Sequence, residues 1–203
     1  MIRALAAPLA VLLLSLAACG LPGTGEPPRL FVLSPKSTFD PSLPRADVQM
    51  LIEQPVAAAG LNTTRIALSR RPLSLEYFAR ASWSERAPLM VQTQLIESFE
   101  RTKKILAVGR ESIGLRADYI LKTELRDFEA VYQGDRPDVA HVRINAKLVR
   151  MPDRAIVATE TFDWKEPIRS DQIEAIVEAW DEAAGKVMKR TVEWTLVNVA
   201  RRP

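Results

Sequence analysis

Apolar and polar residues alternate along much of the second half of the chain. Residues 119–126 and 140–148 follow a period of two, so one side of each segment is apolar and the other is polar or charged. A third segment, 156–164, follows a turn-like stretch at 151–154, and another such stretch lies at 133–137. This pattern predicts an antiparallel meander with one buried face and one face open to water or to a partner.

Shorter apolar segments in the first half predict further strands. Their approximate positions are 30–33, 47–53, 65–68, 73–78 and 105–108. Val48, Met50 and Ile52 share one side of the second of these segments. Three prolines between 35 and 45 predict a loop after the first.

Two segments have the period of an α-helix. Between 88 and 103, the apolar residues Val91, Leu95 and Phe99 recur every four positions, and a proline at 88 suits a first helical turn. A longer helix is predicted from about 171 to 197. The apolar stripe of this second helix contains Ile173, Trp180, Val187 and Trp194. The stripe either packs across the sheet or, in part, meets another subunit.

Together these elements predict an α/β (α+β) fold. We expect a mostly antiparallel mixed sheet with two long helices, in a single domain that follows an N-terminal signal and a tether. The sequence shows no internal repeat and no low-complexity segment.

The first residues have the form of a bacterial lipoprotein signal. Arg3 precedes an apolar segment of about a dozen residues, which is too short to span a bilayer comfortably. The lipobox is matched by Leu16, Ala17, Ala18 and Cys19. We therefore expect Cys19 to carry diacylglycerol and an acylated amino group, because a single chain anchors only marginally. The alternative is an ordinary cleaved signal followed by a chance cysteine.

These features divide the chain into three parts. They are a signal peptide (1–18), a lipidated cysteine with a flexible tether (19–29) and one folded domain (30–203). Gly20 follows the cysteine, whereas in enteric bacteria Asp at this position retains lipoproteins in the inner membrane. The expected location is therefore the periplasmic face of the outer membrane. The inner membrane stays the alternative, because this sorting rule varies between lineages.

Composition and charge exclude several classes of protein. Hydrophobic residues make up 47% and charged residues 26% of the chain, the ordinary mixture of a globular protein. A formal net charge of +3 is too small for a dedicated nucleic-acid binder. One cysteine and one histidine form neither an internal disulfide nor the ligand set of a usual zinc site.

Residues typical of an enzyme are scarce. The sequence lacks a phosphate-binding Walker loop, a dinucleotide glycine motif and a G-x-S-x-G motif. His141 is the one imidazole base, and we expect it to be an exposed residue on the polar side of a strand, beside Arg143 and Asn145. No catalytic residue, cofactor or metal site is predicted. A cell-envelope enzyme that depends on His141 or a carboxylate is the weaker alternative.

Aromatic residues gather before the first helix. Tyr77 ends a predicted strand, and Trp83 lies in a polar segment, 80–86, that we interpret as a loop. A loop tryptophan either packs on the edge of the core or anchors a partner. The candidate partner interface consists of Tyr77, Trp83, Glu85 and Trp194.

The order of these features resembles a known family. A lipobox leads to a strand ending in Ser34-Pro35, and later come Leu75-Glu76-Tyr77-Phe78, a block from Trp83 to Pro88 that opens a helix, and a late Trp194. This order resembles the ABC-type transport auxiliary lipoprotein family, the PqiC-like proteins. The resemblance covers nearly the whole mature chain, and the block that begins at Trp83 is its most specific part.

The resemblance implies a non-catalytic subunit of a transport system. Members of this family accompany an MCE-domain protein, a permease and an ATPase in a system thought to move lipids or other hydrophobic molecules across the periplasm. The lipoprotein sits at the outer membrane as a docking or ring component, so a homo-oligomer is expected and nucleic acid is not a partner. The rival hypothesis is a free-standing periplasmic lipid-binding lipoprotein or chaperone, which would need a closed apolar pocket.

Overall fold

Nine strands and two helices follow one another in the part of the chain that the computed structural model describes, residues 27–110 and 116–200. Their bounds are β1 (Arg29–Phe31), β2 (Ala46–Ile52), β3 (Val56–Ala57), β4 (Arg65–Ser69), β5 (Glu76–Trp83), α1 (Ala87–Thr102), β6 (Ile105–Arg110), β7 (Tyr119–Gln133), β8 (Arg136–Arg150), β9 (Ala155–Pro167) and α2 (Ile173–Ala200). The signal peptide, the lipobox residues Leu16, Ala17 and Ala18, and Cys19 lie outside the described residues.

The sheet divides at β7. Along one edge of β7, β8 pairs antiparallel over the full length of the strand, and β9 continues on the far side of β8. The other edge of β7 is shared: its first residues pair in parallel with β2 and then β3, and its later residues pair with β4. β6 extends β2, whereas β5 and then β1 extend β4. A three-stranded antiparallel meander of β7, β8 and β9 therefore continues into two shorter arms. We call β2 and β6 the β2–β6 arm, and β4, β5 and β1 the β4–β5 arm.

Both helices lie on one face of this sheet. α2 packs against β8 and β9, and α1 packs against β6 and α2. The apolar stripe of α1 is fully buried, as are Trp180 and Val187 of α2. The other two residues of the α2 stripe, Ile173 and Trp194, are partly buried against the same core. The predicted α+β fold, a mixed sheet with two long helices in one domain, is confirmed.

The centre of the core is aromatic. Trp83 at the end of β5, Phe128 in β7 and Trp180 in α2 have ring centroids 5.4 to 5.9 Å apart. Trp83 is only 1% exposed. The cluster joins the meander, the β4–β5 arm and the C-terminal helix at one point.

The strand that ends at Trp83 differs from the expected one. The sequence predicts a strand at 73–78 and a loop at 80–86, whereas β5 begins at Glu76 and continues to Trp83. The segment stays extended because it has backbone partners on both sides. Its last residues pair with β1, and the Trp83 amide donates a hydrogen bond of 2.7 Å to the carbonyl oxygen of Thr64. The prediction of a loop tryptophan is therefore wrong.

Within the described residues, neither helix combines the length and the apolar character that crossing a bilayer requires.

Candidate functional site

One face of the meander of β7, β8 and β9 is polar and points away from the two helices. Because residues opposite each other on neighbouring strands share a face, Asp127, Arg143 and Asp163 stand side by side on β7, β8 and β9. The Arg143 guanidinium forms an ion pair with Asp127. Phe128, one residue further along β7, points to the opposite side and is buried beneath the helices. We call the outward face of β7, β8 and β9 the polar face.

His141 also lies on this face, two residues before Arg143 on β8. Its Nε2 donates a hydrogen bond of 2.9 Å to the Asp163 carboxylate, and the residue is only 8% exposed. The expectation of an exposed histidine is wrong, because β8 is the middle strand and the side chains of both neighbouring strands cover the ring. In register, Glu129 stands opposite His141 on one side and Lys165 on the other.

Three side chains of the polar face have the donor atoms that metal ions prefer. Asp127, Glu129 and His141 each present one such atom, and these atoms lie within 4.8 Å of one another. Two of the three are already engaged, since Arg143 balances the charge of Asp127 and Asp163 accepts a hydrogen bond from His141. The arrangement is therefore a polar network that contains two hydrogen-bonded pairs, and its guanidinium opposes a second cation beside Asp127.

Glu129 is the member of this network whose pKa is perturbed. Partial burial raises the pKa of its carboxyl group above the usual range, and the negative charge of Asp127 raises it further. The nearby His141 has a smaller, opposite effect on this pKa. Glu129 thus takes up a proton more readily in the folded protein than an exposed glutamate does.

A groove continues the polar face toward the β2–β6 arm. It has a volume of about 390 Å³, and its walls include Val56, Glu124, Asn145 and Lys147. Val56 is well exposed, whereas Asn145 is buried and donates a hydrogen bond of 3.0 Å to the hydroxyl group of Thr161. A partner that fills this groove would meet one apolar side chain, Val56, among charged and polar ones.

The four predicted interface residues do not form one surface. Tyr77 and Glu129 both pair with Ala67 of β4, so the two residues lie in one row across the strands. The Arg65 guanidinium stacks on the Tyr77 ring at 3.6 Å, and the Tyr77 hydroxyl group donates a hydrogen bond to the carbonyl oxygen of Gly60. Trp83 is inside the core. Trp194 lies on the helix side of the sheet, edge-on to Phe162.

Glu85, the fourth of these residues, is partly exposed between β5 and α1. A single partner surface that includes both Tyr77 and Trp83 is therefore excluded by burial. Tyr77 keeps its candidate role, because its row joins the polar face.

The network of Asp127, Glu129, His141 and Asp163 was not identified from the sequence. Charged residues at alternate positions of two predicted strands were the available signal. Their proximity depends on strand register. An alternating pattern does not distinguish registers that differ by an even number of residues, because each of them keeps the same side chains on the same face.

Known proteins are similar to this chain in sequence and in fold. A family model described as ABC-type transport auxiliary lipoprotein component matches residues 31–191. An uncharacterised protein of Bradyrhizobium diazoefficiens is 27% identical over 180 residues, which are 87% of this chain and 48% of the relative. The chain thus spans about half the length of the curated relative that it matches.

Solved structures with the same fold include protein XCC0632 from Xanthomonas campestris. It superimposes with a TM-score of 0.80 at 30% identity, over 85% of this chain and 97% of that one. The hypothetical protein CT253 from Chlamydia trachomatis superimposes with a TM-score of 0.51 at 8% identity, over 76% of this chain and 99% of that one, which is a likeness of fold alone.

Proposed function

Since the chain belongs to the family of ABC-type transport auxiliary lipoprotein components, we propose that it is a non-catalytic subunit of an MCE-type system that moves lipids or other hydrophobic molecules across the periplasm. The family match over residues 31–191 carries this proposal. The partners are an MCE-domain protein, a permease and an ATPase, and the subunit docks the MCE protein or assembles with further copies of itself.

The anchor in this proposal is the lipid on Cys19, at the periplasmic face of the outer membrane. The lipobox at 16–19 and Gly20 after the cysteine support this placement. A Cys19→Ser chain would fail to acquire the diacylglycerol thioether, which radiolabelled palmitate incorporation measures. Fractionation of the wild-type membranes on a density gradient then identifies the membrane. Equal incorporation of label by the wild type and the Ser variant would contradict the anchor.

The docking surface in this proposal is the polar face. It alternates positive and negative side chains on an extended sheet, and such charge patterns contribute specificity and orientation to protein contacts. Lys147 and Lys165 are exposed at two points of this face, on β8 and β9. Reversal of their charge changes the pattern without removing a core side chain.

A charge-reversal pair tests this surface. The double variant Lys147→Glu, Lys165→Glu is compared with Glu182→Lys, a reversal at an exposed position of α2 in the helical layer. After mild crosslinking in cells, the MCE protein should co-purify with the wild type and with the α2 variant, and much less with the double variant. Equal recovery with all three chains would exclude the polar face, whereas recovery with none of them would contradict the transport assignment itself.

The rival hypothesis makes a different prediction for the same preparation. A free-standing lipid-binding protein would be recovered alone and would carry lipid after gentle extraction. Mass spectrometry of extractable lipid, separate from the lipid covalently attached to Cys19, distinguishes the two hypotheses.

A further inference from the structure

The turn between β4 and β5 places a leucine where the backbone favours glycine. The Ser74 amide donates a hydrogen bond of 3.2 Å to the carbonyl oxygen of Arg71, which closes a four-residue turn. Pro72 occupies its second position, and Leu73 occupies its third with φ of 65°. Glycine or asparagine is preferred at such a position, because a side chain on Cβ crowds the backbone at positive φ.

The side chain of this leucine is also fully exposed. A single exposed leucine needs no explanation on its own. Here, however, Leu75 is exposed two residues later, and the exposure coincides with an unfavourable backbone conformation. A strained backbone position that also leaves its apolar side chain in water is a candidate for a role outside the fold.

Basic side chains flank the two leucines. Arg70 stacks on the Tyr132 ring at 4.2 Å and lies 3.6 Å from the Glu76 carboxylate, so its position is held by the sheet. Arg71 is exposed beside the turn. An apolar tip with adjacent arginines matches the boundary of a phospholipid bilayer, where apolar groups enter the acyl region and guanidinium groups meet phosphates.

The described chain begins beside β5 and, followed back from β1, leads toward this turn. β1 runs parallel to β5 with Arg29 opposite Ala81, so the residues before Arg29 point back toward the start of β5. Pro27 accordingly lines a groove together with Phe78 and Ala79. Cys19 is eight residues before Pro27, which allows a separation of at most about 26 Å.

We propose that the segment Arg70–Leu75, here named the β4–β5 turn, contacts the surface of the phospholipid bilayer that holds the lipidated Cys19. Leu73 enters the boundary between headgroups and acyl chains, and Arg71 meets lipid phosphates. The inference rests on the proposed lipid anchor. One leucine and one free arginine bind a membrane weakly, but the tether keeps the turn at a high local concentration of lipid, so the contact orients the domain.

The test uses the full lipidated protein in vesicles of phosphatidylethanolamine and phosphatidylglycerol. Since Cys19 is the only cysteine in the chain and carries the lipid, Leu73→Cys introduces a single free thiol for an environment-sensitive fluorophore. Thr159→Cys is the matched control. Thr159 is exposed on β9 and lies far from the turn along the sheet. Through Lys147 it is aligned with Lys122 of β7, whereas Ser69 at the end of β4 is aligned with Val131, nine residues further along β7.

The expected result is a blue shift of the fluorophore at position 73 and its quenching by lipids spin-labelled near the headgroup, several-fold stronger than at position 159. Adding Arg71→Glu to Leu73→Cys should reduce this quenching. Equal quenching at both positions, in protein that stays bound to vesicles, would overturn the proposal and leave the anchor intact.

Two other outcomes would also overturn it. Shielding of position 73 that depends on protein concentration and not on vesicles would assign the turn to a contact between copies. Failure of the lipidated wild type to bind vesicles at all would instead contradict the anchor on which the proposed function depends.

Discussion

The indole ring of Trp83 stands edge-on to that of Trp180, with centroids 5.4 Å apart and an angle of 84° between the planes. Both rings are fully buried, and within the described structure neither indole nitrogen has a hydrogen-bond partner. An edge-to-face geometry directs the positive edge of one ring at the negative face of the other, which compensates part of this deficit. The pair therefore stabilises the protein through ring volume and ring geometry.

We expect Trp83→Ala to destabilise the protein far more than Trp83→Phe. Alanine leaves a cavity in the aromatic cluster, which typically costs about 3–5 kcal/mol. Phenylalanine keeps an aromatic ring and removes an N–H group that has no partner, so its cost should be smaller. Urea unfolding followed by tryptophan fluorescence measures both free energies. A loss for Trp83→Phe as large as that for Trp83→Ala would contradict the argument that a smaller aromatic ring keeps most of this stabilisation.

Glu129→Gln should stabilise the protein at neutral pH. Burial raises the pKa of Glu129 in the folded state, so above that pKa the fold carries the cost of a partly desolvated charge. As pH falls through the folded pKa toward the usual glutamate value, the folded wild type takes up a proton and this cost disappears. The gain should therefore be present at pH 7.5 and shrink on acidification.

Thermal unfolding of both chains across this pH range checks the effect of Glu129→Gln. The exposed Glu160→Gln serves as the control, because Glu160 is on β9 and outside the network. A pH-independent difference between Glu129→Gln and the wild type would mean that the carboxylate acts through shape and not through its charge.

Gly185→Ala should stabilise α2. Gly185 is buried in the middle of the helix, and a Cβ there would meet the Lys36 side chain at 3.6 Å, an ordinary van der Waals distance. Alanine in a helix interior is favoured over glycine by about 0.5–1 kcal/mol. Gly134→Ala should have the opposite sign, because Gly134 has φ of 65° in the β7–β8 turn. Calorimetry of the two variants should give melting temperatures on either side of the wild type.

Leu73→Asn should also raise stability. Asparagine tolerates positive φ better than leucine, whose cost in that region is about 1–2 kcal/mol. Leu73→Ala is the matched control, since it removes the exposed apolar side chain but keeps a Cβ without a local hydrogen-bonding group. Chemical unfolding should show a gain for asparagine and little change for alanine. A gain of the same size with both residues would attribute the effect to lost apolar exposure.

Periodicity predicts the parts of the fold that depend on local sequence. Val91, Leu95 and Phe99 are buried as the α1 stripe predicts, and the meander strands form where the alternation lies. The polar neighbours of Trp83 predict a loop, whereas backbone partners in β1 and at Thr64 determine its extended conformation. Local pattern carries no information on such distant backbone partners.

The same limit applies to the candidate site. The polar side of β8 was predicted, but the burial of His141 depends on strands on both sides of it and on their register. Tyr77 joins the row of Glu129 only through Ala67 of β4, which is 62 residues before Glu129 in the chain.

The division of the sheet at β7 has a consequence for the order of folding. β2, β3 and β4 all precede β7 in the chain, yet each uses it as a parallel partner. Residues 27–110 therefore lack the central strand of their sheet until residues 119–133 have arrived. The β7–β8 hairpin closes over two residues, Gly134 and Asp135, and its pairing is local, whereas the arms require long loop closures that are slow to form. A chain that emerges with its N-terminus first thus stays open until late, and substitutions in β7 should slow folding while substitutions in the arms mainly accelerate unfolding.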